Sequence, residues 1–239
     1  MKLRIVALAA LAAWAWTSVG SEEGALAAGR ELERAAATAP GLDRKAKAAL
    51  DRLGGGTEEI VVRWHEKPAT PALLDGTIAG PSAHSPEWIA YTFLDNAKEL
   101  YGIAKPRRDM QVADVRRFPD GGSEVRFRHL LYGTPVRGDE LVVRIGSDGS
   151  ISRVEGRVYP RLEKATFHRR IHAALTPTEA AAVATTFAEA VGVPPLRPQV
   201  ALYYEPTQRG TPLVYAVSFG GDGVEAVVLV HALTGRVIP

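Results

Sequence analysis

A chain of 239 residues with 46% hydrophobic and 23% charged residues is long enough for one large domain or two small ones, and too apolar to be a disordered chain. Its formal charge of +2 comes from arginines scattered among acids, with no basic run of the kind that binds nucleic acid, so no nucleic-acid partner is expected. Cysteine is absent, which excludes disulfides, a lipid-modified cysteine anchor, thiol catalysis and cysteine-ligated metals.

The N-terminus, MKLRIVALAALAAWAWTSVGSEEG, sets Lys2 and Arg4 before an apolar run from Ile5 to about Trp16, with small residues after it. That is the layout of a secretory signal. The run is shorter than the roughly 20 residues that span a bilayer, so residues 1–27 are expected to be cleaved, after Gly20 or at Ala25-Leu26-Ala27. The expected protein is secreted or periplasmic, with no stable membrane insertion. Residues 28–57, rich in alanine and charge, predict a solvated helical lead-in that breaks at Pro40-Gly41 and stops at Gly54-Gly55-Gly56.

A strand is predicted over Ile60–His65, followed by a Pro- and Gly-rich crossing from Lys67 to Pro81. Ser85-Pro86-Glu87 then supplies an N-cap, a proline at the first helical position and an acid in the first turn. The helix runs to Gly102, and Ile89, Phe93, Leu94, Ala97, Leu100 and Tyr101 mark its buried face. From Gln111 to Val158 the hydrophobic period becomes two, broken at Pro119-Asp120-Gly121-Gly122 and Ser147-Asp148-Gly149, where glycine suits tight hairpin turns. A meander of antiparallel strands follows from that pattern. The arrangement then recurs: Thr176-Pro177-Thr178-Glu179 opens an alanine-rich helix ending near Gly192, and strands are predicted in QVALYYE, PLVYAVSF and EAVVLVHA. The expected fold is α+β, two consecutive units each with a helix packed on an antiparallel β-sheet.

Catalytic and metal-binding signals are sparse. His168 and His172, in HRRIH, have the i, i+4 spacing that shares a zinc ion on a helix face, but Arg169 occupies the place of the general base in a His-Glu-x-x-His helix. His65-Glu66 lacks a second histidine four residues after the first, and Pro68 disfavours a helix there. Asp139, Glu140 and Glu155 have no sequence-defined partner carboxylate, and no Gly-x-Ser-x-Gly elbow is present. Tyr203, Tyr204, Tyr215 and Phe219 are expected in a sheet core. The reading is of a non-enzyme without catalytic residues, metal or cofactor.

The run VRFRHLLYGTPVRGDELVVRIGSDGSISRVEG, Val125 to Gly156, resembles the fungalysin/thermolysin propeptide domain, an Arg-Phe strand with a Gly-x-Pro-Val turn, a Gly-containing strand and a hairpin before a further strand. Arg126, Phe127, Tyr132, Gly133, Pro135, Val136, Gly138, Leu141, Gly149 and Gly156 fit that pattern, and His129 stands where the family favours glutamine. The Thr176-Pro177 helix and the terminal VVLVHALTGRVI resemble a PepSY domain, with His231 where that family usually has an acid.

The resemblance implies an FTP-like domain over 58–160, a linker over 161–175 and a PepSY-like, cystatin-like domain over 176–239. It also implies the role of a prosegment: a protein that assists the folding of a thermolysin-like zinc metallopeptidase and inhibits it, here without the peptidase domain. Arg126, Phe127, His129, Tyr132, Gly133, Pro135, Val136 and Gly138 are then structural or partner-contacting, and Val237, Ile238 and Pro239 form a tail directed at the peptidase cleft. The alternatives are an envelope module that binds peptides or cell-surface ligands by strand addition, and an inactive, truncated precursor of a metallopeptidase.

Overall fold

The computed structural model describes residues 42–53, 60–194, 197–221 and 224–238. The expected signal peptide, the break at Pro40-Gly41, the stop at Gly54-Gly55-Gly56 and Pro239 lie outside these residues. Two compact units meet in sequence between Arg169 and Arg170.

In the first unit, helix α1 (Arg44–Arg52) is capped by Asp43, whose side chain accepts the Lys45 and Ala46 amides. It is not a solvated lead-in. Ala46, Ala49 and Leu53 are buried and belong to the same core as helix α2 (Pro86–Tyr101). Ser85 caps α2 by accepting the Trp88 amide, and Gly102 ends it in the left-handed conformation, as the local sequence predicts. A single turn, α3 (Pro106–Asp109), follows.

Strands β1 (Val61–Trp64), β2 (Pro71–Ala79), β3 (Met110–Arg117), β4 (Ser123–Leu131), β5 (Thr134–Ile145) and β6 (Ile151–Arg157) make one antiparallel sheet in the order β1-β2-β6-β5-β4-β3. The core side chains of β4 and β5 alternate, as Val125 and Phe127, then Leu141 and Val143, and β6 adds Ile151 and Val154 across a register shift. They pack with Phe93, Leu94, Leu100 and Tyr101 of α2 in a single core. A short turn, α4 (Leu162–Ala165), completes the unit.

The second unit has helix α5 (Pro177–Ala190) and an antiparallel sheet of β7 (Gln199–Tyr204), β8 (Leu213–Gly221), β9 (Val224–His231) and β10 (Val237–Ile238), in that order. Thr176 and Glu179 close a reciprocal capping box at the start of α5. Ala180, Ala184 and Ala188 form its buried stripe. Of the four aromatics expected in a sheet core, Tyr204, Tyr215 and Phe219 are buried and Tyr203 is half-buried.

The expected pair of helix-on-sheet units is corrected by this architecture. The protein is mostly β-sheet, with ten strands among the described residues and few helices. The segment taken as a Pro- and Gly-rich crossing is the nine-residue strand β2, paired on both edges, with β1 and β6. Its pattern misleads because Leu73 and Leu74 are both buried, which breaks the strict alternation of a strand with one wet face. Among the described residues no helix is long and apolar enough to cross a membrane.

Candidate functional site

The propeptide-like motif builds the β4–β5 hairpin. Leu131 faces Thr134 in register, so Tyr132 and Gly133 form a two-residue loop. Both have positive φ, 52° and 82°, which matches the twist of the flanking strands. The Tyr132 hydroxyl hydrogen-bonds Thr166 Oγ1 at 3.1 Å. Phe127 is fully buried edge-on to Tyr91, with ring centroids 5.0 Å apart, and Val136 is buried as well. Arg126 lies on the exposed face and reaches Glu140 at 3.3 Å.

Register then breaks. Arg128 pairs with Glu140, but Leu130 pairs with Pro135, so His129 alone stands opposite residues 136–139 of β5. Gly138, at φ 76°, lies in this bulge. The bulge carries Asp139 inward beside His129, where both are buried, at 0% and 6% exposure. Asp139 Oδ2 accepts the Tyr159 amide at 2.8 Å, which assigns it the acceptor role, and His129 Nδ1–H donates to the same oxygen at 2.7 Å. Asp139 Oδ1 has no hydrogen-bond partner among the described residues.

His129 lines a groove of about 330 Å³ between the end of α2, the turn into α3 and α4. Lys98, Glu99, Arg161, Lys164 and His168 also line it, above an apolar wall of Ile103, Leu130, Leu131 and Leu162. At one side Arg108 bridges Asp109 and Glu163, at 2.6 and 2.5 Å. The Asp109 hydrogen bond, foremost, raises the Arg108 guanidinium above its ordinary value. Arg161 is tied to Asp43 at the start of α1.

A second cavity, of about 490 Å³, lies against the first turns of α2, among Leu53, Ile78, Trp88, Ile89, Phe93 and Ile151. Trp88 is 43% exposed and stacks on His84 with ring centroids 3.8 Å apart.

The histidine fragment HRRIH is not a helix. Residues 166–176 carry no regular structure, so His168 and His172 do not present the single helical face that a shared metal needs. His168 has φ 56° and lines the His129 groove, whereas His172 belongs to the second unit. Among the described residues no group of three or more His, Asp or Glu could hold a metal ion. His65 is absorbed by the sheet: its Nε2–H donates to the Gly156 carbonyl at 2.8 Å.

The segment expected as a cleft-directed tail is strand β10. Val237 pairs with Val230 and Ile238 with Leu229, and both are half-buried. His231 Nδ1 accepts the Leu233 amide at 3.2 Å and so steadies the turn after β9.

Asp139 is the functional candidate that sequence reasoning missed. Its signals were present: a histidine on the inward phase of β4, and Gly138 where a strand would otherwise continue its alternation.

No family model matches the chain. Among solved structures, it is similar to a crystal structure from Clostridium difficile 630 described as a putative lipoprotein, at 16% identity over 62% of this chain and 90% of that one, with a TM-score of 0.24. A score this low provides no shared architecture from which to argue.

Proposed function

We propose that the chain is an exported, non-catalytic, prosegment-like protein that binds a thermolysin-like zinc metallopeptidase, assists its folding and holds it inhibited. The signal-like N-terminus supports export to the periplasm or beyond the cell. The observation that carries the reading is the run Val125–Gly156, which resembles a propeptide domain and folds as the continuous antiparallel meander β4-β5-β6. Gly133, Gly138, Gly149 and Gly156 all have positive φ, so these positions of the motif are set by backbone conformation. In this reading the sheet surface docks, and Val237 and Ile238 act from a strand edge, not as a loose tail.

The test is titration of the purified chain, lacking residues 1–27, into a thermolysin-like peptidase that is turning over a fluorogenic peptide. Saturable inhibition at submicromolar concentration with the chain intact afterwards is the expected result. Absence of inhibition at tens of micromolar, repeated with a peptidase from the same organism, sinks the proposal.

The second reading, a peptide-binding envelope module, is favoured by one feature. Among the described residues β3 pairs on one side only, leaving an eight-residue edge for strand addition. Asp114, Arg116 and Arg117 are exposed on that strand and oppose unselective pairing, so the peptidase reading stands first.

A further inference from the structure

We infer that the peptide bond between Arg169 and Arg170 is a processing site, hydrolysed by an arginine-directed endopeptidase. The inference rests on the local structure of this segment and holds whether or not a metallopeptidase is the partner.

Hydrogen bonding ends on either side of this one bond. Before it, the amides of Phe167, His168 and Arg169 donate to the carbonyls of Lys164, Glu163 and Thr166, which ties the segment to α4. After it, the Ile171 amide donates to the Tyr204 hydroxyl at 3.2 Å, and the Ala174 and Leu175 amides donate to the Ala232 carbonyl. The Arg169 carbonyl and the Arg170 amide have no hydrogen-bond partner among the described residues. Both residues are exposed and outside regular structure. The two compact units also meet in sequence at this bond. The main core, Ala46 to Val158, lies wholly before it, and the buried residues Ala180 to Ala232 lie wholly after it, so hydrolysis cuts through neither.

The segment opens at little cost. An endopeptidase takes its substrate as an exposed, extended strand, so Phe167 to Arg170 must straighten to enter a cleft. Phe167 is 85% exposed and has almost no packing to lose. Phe167 and His168 have φ of 53° and 56°, left-handed values that residues other than glycine adopt under strain. Straightening releases that strain as it breaks the three turn hydrogen bonds.

The residue type sets the class of enzyme. The chain has three Arg-Arg pairs, and the other two are held in place. Arg107 and Arg108 lie in α3, the first bridged to Asp95 and the second to Asp109 and Glu163. Arg116 and Arg117 lie in β3, in register with Glu124 and Ser123. Arg169 and Arg170 have no ion-pair partner among the described residues. Free guanidinium groups suit the acidic subsites by which an endopeptidase selects arginine. The HRRIH fragment thereby gains a role that needs no helix and no metal.

The step itself is hydrolysis. Water adds its hydroxyl to the Arg169 carbonyl carbon, the bond from that carbon to the Arg170 nitrogen breaks, and the nitrogen leaves as an amine carrying the remaining water proton. The products end at Arg169 and begin at Arg170.

The experiment is limited digestion of the chain lacking residues 1–27 with trypsin, followed by intact mass spectrometry. The mass of the chain recovered from the organism that makes it is measured alongside. Trypsin should yield the fragment 170–239 about tenfold or more faster than cuts after Arg108, Arg117 or Arg209, because those sites require regular structure or a hydrogen-bonded turn to open first. The same fragment is expected in the naturally made protein. Arg169→Gln/Arg170→Gln should abolish it in the digest at an unchanged urea midpoint, since both side chains are exposed. Resistance of this bond while Arg209 is cut overturns the inference, as does a naturally made chain that is intact across it. A fragment that begins at Ile171 instead would refute the hydrogen-bond argument for the scissile bond. None of these readouts involves peptidase inhibition, so this inference and the proposed function fail separately.

Discussion

Gly156→Ala probes the backbone logic of the meander most directly. Gly156 faces Leu141 in the β5–β6 ladder at φ 137°, a conformation that L side chains rarely adopt, and its carbonyl accepts the His65 ring. A Cβ built there would sit 2.1 Å from the Glu140 carbonyl oxygen and 3.0 Å from the Leu141 Cα. Ordinary contact therefore requires β5 and β6 to separate locally by about 1 Å, since carbon–carbon contacts are comfortable near 3.5–4.0 Å. The forbidden dihedral costs about 1–3 kcal/mol. Loosening one or two ladder hydrogen bonds costs about 1 kcal/mol each. Together the loss is about 2–5 kcal/mol, a large share of the roughly 5–15 kcal/mol that holds a domain folded. Urea unfolding read by tryptophan fluorescence suits the test, since outside the expected signal peptide the tryptophans are Trp64 and Trp88, both in the first unit. With a slope of about 2 kcal/mol per molar urea, the midpoint should fall by about 1–2.5 M at unchanged slope. Gly133→Ala is the control: φ is 82° but nothing lies within 4 Å of the added carbon, so only the dihedral term of about 1–2 kcal/mol applies. If the two variants lose the same stability, close backbone approach is not why Gly156 is glycine.

Two further outcomes are expected. Tyr101 is buried with a hydroxyl that has no hydrogen-bond partner among the described residues, and burial pushes that phenol well above its ordinary pKa, so it stays protonated. Tyr101→Phe removes an unpaired polar atom and should raise stability by about 1 kcal/mol in the same urea assay; a loss of that size would reveal a partner. At the start of α5 the Thr176 amide, then its hydroxyl, holds the Glu179 carboxyl below its usual 4.5. A carboxyl depressed in the folded state stabilises above the unfolded value and ceases to do so as pH falls through the folded one. Glu179→Gln should therefore be less stable than the parent at pH 7, and the gap in melting temperature should close below pH 4.5; a gap that does not change with pH refutes the capping account.

The elements that the sequence made legible are those with local chemistry. Ser85-Pro86-Glu87 and Gly102 bound α2, Thr176 and Glu179 open α5, and the Gly-containing turns divide β3 to β6. What was illegible depends on partners distant in sequence. β2 lacks alternation because the adjacent Leu73 and Leu74, on opposite faces, are both buried, so nothing local distinguishes it from a crossing. α1 reads as solvated because alanines bury little area each, yet Ala46 and Ala49 permit close approach to other core residues. The His129–Asp139 pair was hidden by the bulge: counted along the chain Asp139 is one of two adjacent acids, and only the register break aligns it with His129. The HRRIH spacing misled in the opposite sense, since an i, i+4 pair means nothing where no helix forms.

These positions also decide how a docking surface can be tested. Phe127 and Val136 are buried, Tyr132, Gly133 and Gly138 occupy positive-φ sites, and Gly156 is closed in by backbone. Substitution at any of them acts through folding, so a loss of inhibition there would not identify a contact. Residues free to report on recognition are exposed and have little part in the core: Arg126 and Glu140 on the outer sheet face, Lys98 and Lys164 on the groove, and Trp88 beside the second cavity. Charge reversal of Arg126 disrupts a pair exposed on both sides, which contributes little to stability. A large fall in peptidase inhibition from Arg126→Glu, at unchanged urea midpoint, would therefore place the partner on the outer face of the motif strands. An unchanged inhibition constant would direct the search to the groove and to Trp88.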